Sequence, residues 1–119
     1  MTPDAPIDMA VLEKIKEIGE NELVIKIIDL FIDYIATKVA EAKNAMMRGD
    51  LTGVQDAVHP IKSGASNVGA HKLRAIALFI EQLAMQKKGD QIPPRLLELE
   101  AAYLQAKAAL EELRKTISA

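Results

Sequence analysis

The feature that most constrains the fold is a stripe of apolar residues that recurs every three or four positions between Val24 and Met46. This spacing places the stripe on one side of an α-helix, which has about 3.6 residues per turn. A similar stripe runs from Leu96 to Leu113, and no segment alternates apolar and polar residues for long enough to form a β-strand. The pattern therefore predicts an all-α protein. The first stripe consists of Val24, Ile28, Phe31, Ile35, Val39, Ala42 and Met46.

Gly, Pro and Asp residues mark the expected ends of the helices. Asp8 and Asn21 are expected to cap the first two helices, and a capping box of Thr52 and Gln55 is expected to open the third. Because short loops join long amphipathic helices, we predict an antiparallel four-helix bundle of up-down topology with a short additional N-terminal helix. The expected helices span Met9 to Ile18 (closed by Gly19), Asn21 to the turn at Arg48–Asp50, about Thr52–Asn67, His71–Gln86, and Arg95 to about Thr116.

Length and composition narrow the possible classes of protein. A chain of 119 residues fits one domain, residues 1–119, in which we expect residues 1–7 to be flexible. The absence of cysteine excludes disulfides, thiolate metal sites and cysteine nucleophiles. The net charge is −2, and Lys and Arg are scattered among Asp and Glu. The sequence therefore shows no basic patch of the kind that binds nucleic acid.

The most apolar stretch, Leu23 to Ala40, is amphipathic, because four charged residues interrupt it. A membrane span needs about 20 mostly apolar residues. The N-terminal residues have neither a basic leader nor an apolar core, so they do not form a signal peptide. We therefore expect a soluble, cytoplasmic protein with no membrane contact, and we expect it to be a monomer. The interrupting residues are Lys26, Asp29, Asp33 and Lys38.

The segment from Val54 to Ala70 contains the side chains that are the best candidates for a functional site. On a helix, its large apolar residues share the buried side, and His59 and Lys62 lie on the other side, one turn apart. A neutral imidazole is a nucleophile near pH 7, and a lysine ammonium group can pair with phosphoryl oxygens. Small residues surround the pair: Ser63 and Ser66, which could donate hydrogen bonds, and Gly64, which removes bulk where another protein would approach.

The run from His59 to Ala70 resembles the signature of histidine-containing phosphotransfer (HPt) domains. That signature is a histidine, a lysine three residues later, small residues after the lysine, and an apolar residue followed by Gly-Ala. The match continues through Leu73 to Ile80-Glu81, and the upstream helix with Phe31 and the turn ending at Asp50 also fit. The resemblance covers about Ile7 to Gly89.

The resemblance implies a phosphocarrier in a two-component multi-step phosphorelay. His59 would accept a phosphoryl group from a receiver aspartate and pass it to another receiver aspartate, with Lys62 as the charge partner of the phosphoryl group. Glu81 would hydrogen-bond the other imidazole nitrogen. The implied partners are response-regulator receiver domains and a hybrid sensor histidine kinase. The chain itself would need no cofactor, since the receiver supplies Mg²⁺. The docking face would surround His59 and include Gln55, Ser63, Gly64 and Ser66.

The sequence departs from the family pattern at Ser63, where glycine is usual, and at Pro60. A proline inside a helix removes one backbone hydrogen bond and can cost ~3 kcal/mol, so we expect a local distortion between Asp56 and His59. If the helix instead restarted at Pro60, the geometry of His59 and Lys62 would change.

Two alternative functions remain open, whereas a hydrolytic or redox enzyme is not expected, because no acid–base carboxylate pair, catalytic triad or metal set can be assembled from the spacing. The main alternative is a structural or adaptor bundle that binds a receiver or another partner without transferring phosphate. A close variant is a module that is fed directly by the ATP domain of a kinase. The chain has no glycine-rich nucleotide loop, so we expect no autokinase activity of its own. No metal site is expected, because His59 and His71 are twelve residues apart and have no thiolate or HExxH spacing to support them.

Overall fold

The computed structural model describes residues 5–118, which form four α-helices and one short 3₁₀ helix. No strand occurs in this range, so the prediction of an all-α fold is confirmed. The helices are α1 (Met9–Met47), α2 (Leu51–Asn67), α3 (His71–Met85) and α4 (Ile92–Ser118), and the 3₁₀ helix, Gly89–Gln91, precedes α4.

α1 is interrupted near its start, where Gly19 (φ −132°, ψ 15°) and Glu20 (φ 59°, ψ −164°) leave the helical conformation. The predicted short N-terminal helix and long second helix are therefore the two parts of α1. At this interruption Glu20 adopts the positive φ, and the neighbouring Gly19 does not. Asn21 does not cap the second part, because its Oδ1 is buried and has no hydrogen-bond partner within residues 5–118.

Aspartates cap the first two helices. Asp8 Oδ1 accepts a hydrogen bond from the backbone N–H of Ala10 at 3.0 Å, as predicted for an N-cap. Asp50 Oδ1 accepts from the N–H of Gly53 at 2.9 Å, so α2 begins at Leu51. The prediction of a capping box at Thr52 is therefore wrong, because the residue assigned to the preceding turn supplies the cap.

α4 begins at Ile92, three residues before the predicted start at Arg95. Pro93 and Pro94 consequently lie in the first turn of the helix, where a backbone N–H has no partner within the helix and its loss costs little. The helix ends at Ser118, close to the predicted end.

Each helix packs against its neighbours in the chain, and α4 closes the bundle against α1. The result is an antiparallel up-down four-helix bundle, as predicted. Ile7 is buried in the core, so the expected flexible segment does not extend to it; residues 1–4 lie outside the described range. Met46 is only partly buried, and Ala45 takes the inward position in its place. The two core faces that frame the site consist of Val24, Ile28, Phe31, Ile35, Val39 and Ala42 on α1, and Val54, Val58, Ile61 and Ala65 on α2, with Val68 just after it.

The part of α1 before Gly19 is tied to the turn between α2 and α3. The backbone N–H of Asp8 donates to the carbonyl oxygen of Gly69 at 2.8 Å. The Asp8 carboxylate also lies 3.0 Å from His71 Nε2. The hydrogen bond from His71 holds the pKa of Asp8 below its ordinary value. His71 is thus an exposed residue whose contact with Asp8 holds this helix against the turn.

Between residues 5 and 118, none of the helices is both long and apolar enough to span a bilayer.

Candidate functional site

His59 lies on the solvent side of α2, and its side chain is 68% exposed. α2 is continuous from Leu51 to Asn67 with Pro60 inside it, so the helix does not restart at the proline. The segment from Asp56 to His59, where a distortion was expected, is also helical. The imidazole therefore stands outside the bundle, where another protein can reach it.

Glu81 on α3 is the buried carboxylate that faces His59. Its side chain is 9% exposed, and its Oε2 lies 2.5 Å from His59 Nδ1. The other oxygen, Oε1, accepts a hydrogen bond from Lys62 Nζ at 2.5 Å. The expected contact between Glu81 and the ring is thus present, and one carboxylate joins the histidine and the lysine of α2.

The environment of Glu81 favours its anionic form. Burial alone would raise the pKa of this carboxyl, but the hydrogen bonds from Lys62 and His59 outweigh burial and lower the pKa below its ordinary value. An anionic acceptor beside Nδ1 selects the neutral tautomer that carries its proton on Nδ1. Nε2 of His59 is then unprotonated and faces solvent, which is the arrangement of a nucleophile.

Lys62 is close to His59, as expected, but it is turned toward Glu81. Its side chain is 21% exposed, and its ammonium group is paired with the buried carboxylate. The sequence predicted a cation near the histidine and did not predict that it would share the Glu81 carboxylate with the ring.

The other residues predicted to surround the histidine differ in their contacts and exposure. The Ser66 hydroxyl donates to the carbonyl oxygen of Lys62 at 3.1 Å, whereas Ser63 is exposed beside the ring. A Cβ added to Gly64 would lie 2.8 Å from Ile35 Cδ1, so this glycine lets α1 and α2 approach closely. Gln55, which lies one turn before the histidine, is partly buried.

Arg74 is a residue near the site that sequence reasoning missed. Together with four residues of α2 it lines a shallow depression beside the imidazole. It precedes Glu81 by seven residues, which is two turns of α3, so both side chains lie on the same face of that helix. If α2 and α3 are taken to pack antiparallel with Glu81 opposite His59, then a residue two turns before Glu81 also faces α2, and this reasoning would have identified Arg74. The residues of α2 in this depression are His59, Lys62, Ser63 and Ser66.

An apolar groove between α1 and α2 flanks the other side of the site. Its walls include Leu30, which is 60% exposed, and its edge on α2 reaches Pro60 and Ser63, beside the histidine. Exposed apolar surface next to a reactive group is typical of a protein-binding site. The other lining residues are Ile27, Phe31, Tyr34, Ile35, Gly64, Asn67 and Val68.

Within the described residues, no group of three or more His, Cys, Asp or Glu side chains is placed to hold a metal ion.

The comparisons with known proteins agree with this geometry. A family model described as "Hpt domain" matches residues 26–116. A search of curated proteins found no match. Histidine-containing phosphotransfer protein B from Pseudomonas aeruginosa PAO1 superimposes with a TM-score of 0.89 at 21% identity, covering 97% of this chain and 98% of that one. The HPT domain of a sensor hybrid histidine kinase from Shewanella gives a TM-score of 0.81 at 14% identity, with the same coverage. The chain therefore belongs to the Hpt domain family.

Proposed function

We propose that this protein is a phosphocarrier of a multi-step phosphorelay, which takes a phosphoryl group from a receiver aspartate onto His59 and gives it to a second receiver aspartate. The observation that carries the proposal is the exposed imidazole whose Nδ1 lies against the buried Glu81 carboxylate. That contact leaves Nε2 as the reactive atom.

The transfer needs no proton to leave the ring. The Nε2 lone pair of His59 attacks the phosphorus of the aspartyl phosphate, the N–P bond forms, and the P–O bond breaks to release the aspartate carboxylate. Nδ1 keeps its proton, so the ring gains one positive charge, which the Glu81 carboxylate balances at a distance of 2.5 Å. In the second transfer another aspartate carboxylate attacks phosphorus, a P–O bond forms, and the N–P bond breaks with its electron pair returning to Nε2, so the neutral ring is regenerated.

Phosphoryl transfer depends mainly on positioning and on compensation of charge, and most of both would come from the receiver. The receiver supplies the aspartate and Mg²⁺, and this chain supplies an oriented imidazole and a surface to dock on. The apolar groove has a volume of about 390 Å³ and ends at Pro60 and Ser63, which are close to His59 along α2. Receivers, including that of a hybrid sensor histidine kinase, are the partners that fit this surface.

We assign no autokinase activity to the chain, since its sequence has no glycine-rich nucleotide loop. We expect it to act as a monomer.

The proposal is tested by mixing the protein with radiolabelled, phosphorylated receiver domains. A phosphohistidine is acid-labile and base-stable, and the label should appear on the wild type but not on His59→Gln. His71→Gln is the matched control, because His71 is exposed but lies outside the site, and it should be labelled normally. A wild type that binds a receiver and stays unlabelled would establish the adaptor function instead.

A further inference from the structure

We infer that Arg74 is a phosphoryl-binding residue, whose guanidinium pairs with the oxygens of a phosphoryl group on His59 Nε2. The inference rests on the proposed function and adds to it a residue on the neighbouring helix α3.

The first support is position. Arg74 and His59 line the same open depression, together with Lys62, Ser63 and Ser66. Because Nδ1 of the ring is held by Glu81, the outward atom of the ring is Nε2, and a phosphoryl group on it would project from the surface of α2 beside this depression. Arg74 stands on the α3 side of the depression.

The second support is charge. A phosphoryl group carries about −1.5 to −2 charges at pH 7 and presents three acceptor oxygens. Lys62 Nζ already donates to Glu81, which is the same carboxylate that faces the ring cation formed by phosphorylation. Within residues 5–118, Arg74 makes no ion pair and no side-chain hydrogen bond, so its charge is free to meet the new anion.

The third support is the chemistry of the side chain. A guanidinium group presents planar pairs of N–H donors that match two phosphoryl oxygens at once, and it stays charged at every pH of interest. Ser66 is a weaker candidate, because its hydroxyl already donates to the carbonyl oxygen of Lys62.

The test separates this contact from docking by phosphorylating the protein without a receiver. Wild type, Arg74→Gln and Arg74→Lys are treated with phosphoramidate, which transfers its phosphoryl group to Nε2 as its P–N bond breaks and ammonia leaves. The pH titration of the phosphohistidine is then followed by ³¹P NMR. A cation that binds the phosphoryl oxygens favours the dianion, so Arg74→Gln should raise the proton affinity of the phosphoryl group about two- to fivefold. Arg74→Lys keeps the charge and should give a smaller change.

Lys72→Gln is the matched control, because Lys72 is exposed on α3, carries the same charge and does not line the depression. It should titrate like the wild type. Equal titrations of wild type and Arg74→Gln would overturn the inference and leave the proposed function intact. A wild type that is labelled neither by phosphoramidate nor by any receiver would overturn both.

Discussion

The carboxylate of Glu81 and the imidazole of His59 are joined at 2.5 Å although 22 positions separate them in the sequence. The contact crosses from α3 to α2, so the bundle itself sets the orientation of the ring. As a result the two ring nitrogens have different roles. Nδ1 is hydrogen-bonded to Glu81, and Nε2 is exposed to solvent.

Removing the charge of Glu81 should slow transfer. Glu81→Gln keeps a side-chain oxygen beside Nδ1 but cannot balance the ring cation, so we expect the rate of phosphorylation by a receiver to fall about tenfold, which corresponds to about 1.4 kcal/mol of lost charge stabilisation. Rapid-quench measurement of the label on His59 checks this. Glu112→Gln, which removes an exposed carboxylate of α4, should leave the rate unchanged.

The pKa of Glu81 predicts a dependence of stability on pH. Because this pKa is below its ordinary value of 4.5, the ionised carboxylate stabilises the fold above pH 4.5, and that stabilisation is lost as the pH falls through the lowered pKa. The free energy of unfolding should therefore differ most between wild type and Glu81→Gln near pH 7. Urea denaturation at pH 7 and at pH 3 measures the difference, and a gap that stays constant with pH would contradict the account.

Gly64 should resist a substitution that usually stabilises helices. Gly→Ala in an exposed helix interior gains about 1 kcal/mol. Here the new methyl group would lie 2.8 Å from Ile35 Cδ1, so we expect the gain to be lost in the wild type. Ile35→Val removes the Cδ1 methyl group of residue 35, so Gly64→Ala should become stabilising in this background. A double-mutant cycle in which the two substitutions change the free energy of unfolding additively would show that residues 64 and 35 do not clash.

Pro60 should cost stability, whereas the prolines in the first turn of α4 should not. It lies inside α2 and leaves the carbonyl oxygen of Asp56 without its helical donor, so Pro60→Ala should raise the free energy of unfolding by about 1–3 kcal/mol. Pro93→Ala is the control, because Pro93 lies in the first turn of α4, and it should change stability little. Similar effects of the two substitutions in thermal denaturation would refute this reading of α2.

The groove beside His59 should contribute to receiver binding. Leu30→Ala removes an exposed side chain from its wall, and the loss of that buried area in the complex should weaken binding about tenfold. The control is Leu97→Ala, since Leu97 is 69% exposed on α4, which packs mainly against α1 and α3. Titration calorimetry with a receiver compares the two, and an equal loss for both would place docking elsewhere.

The sequence was sufficient for the fold because helical periodicity and aspartate caps are local signals. The stripe from Val24 onward and the exposed side of α2 at His59 were both predicted from spacing alone. Glu81 could be assigned only through a family resemblance, since its contact depends on how α2 and α3 pack.

Interactions that depend on packing were missed or misjudged. The pairing of Lys62 with Glu81, the position of Arg74 and the contact of Gly64 with Ile35 all join residues from different helices. Spacing along one helix shows which residues share a face but not which residue of a neighbouring helix lies opposite. Asn21 shows a further limit, because a residue type that favours caps was placed where its side-chain oxygen finds no donor among the described residues.

The most direct test is to identify the atom that carries the phosphoryl group. The protein is labelled with ¹⁵N at histidine, phosphorylated, and examined by NMR for coupling between phosphorus and the ring nitrogens. We predict that coupling appears at Nε2 of His59 and nowhere else, since Glu81 occupies Nδ1. Phosphorus on Nδ1, on His71, or on no histidine would contradict the account.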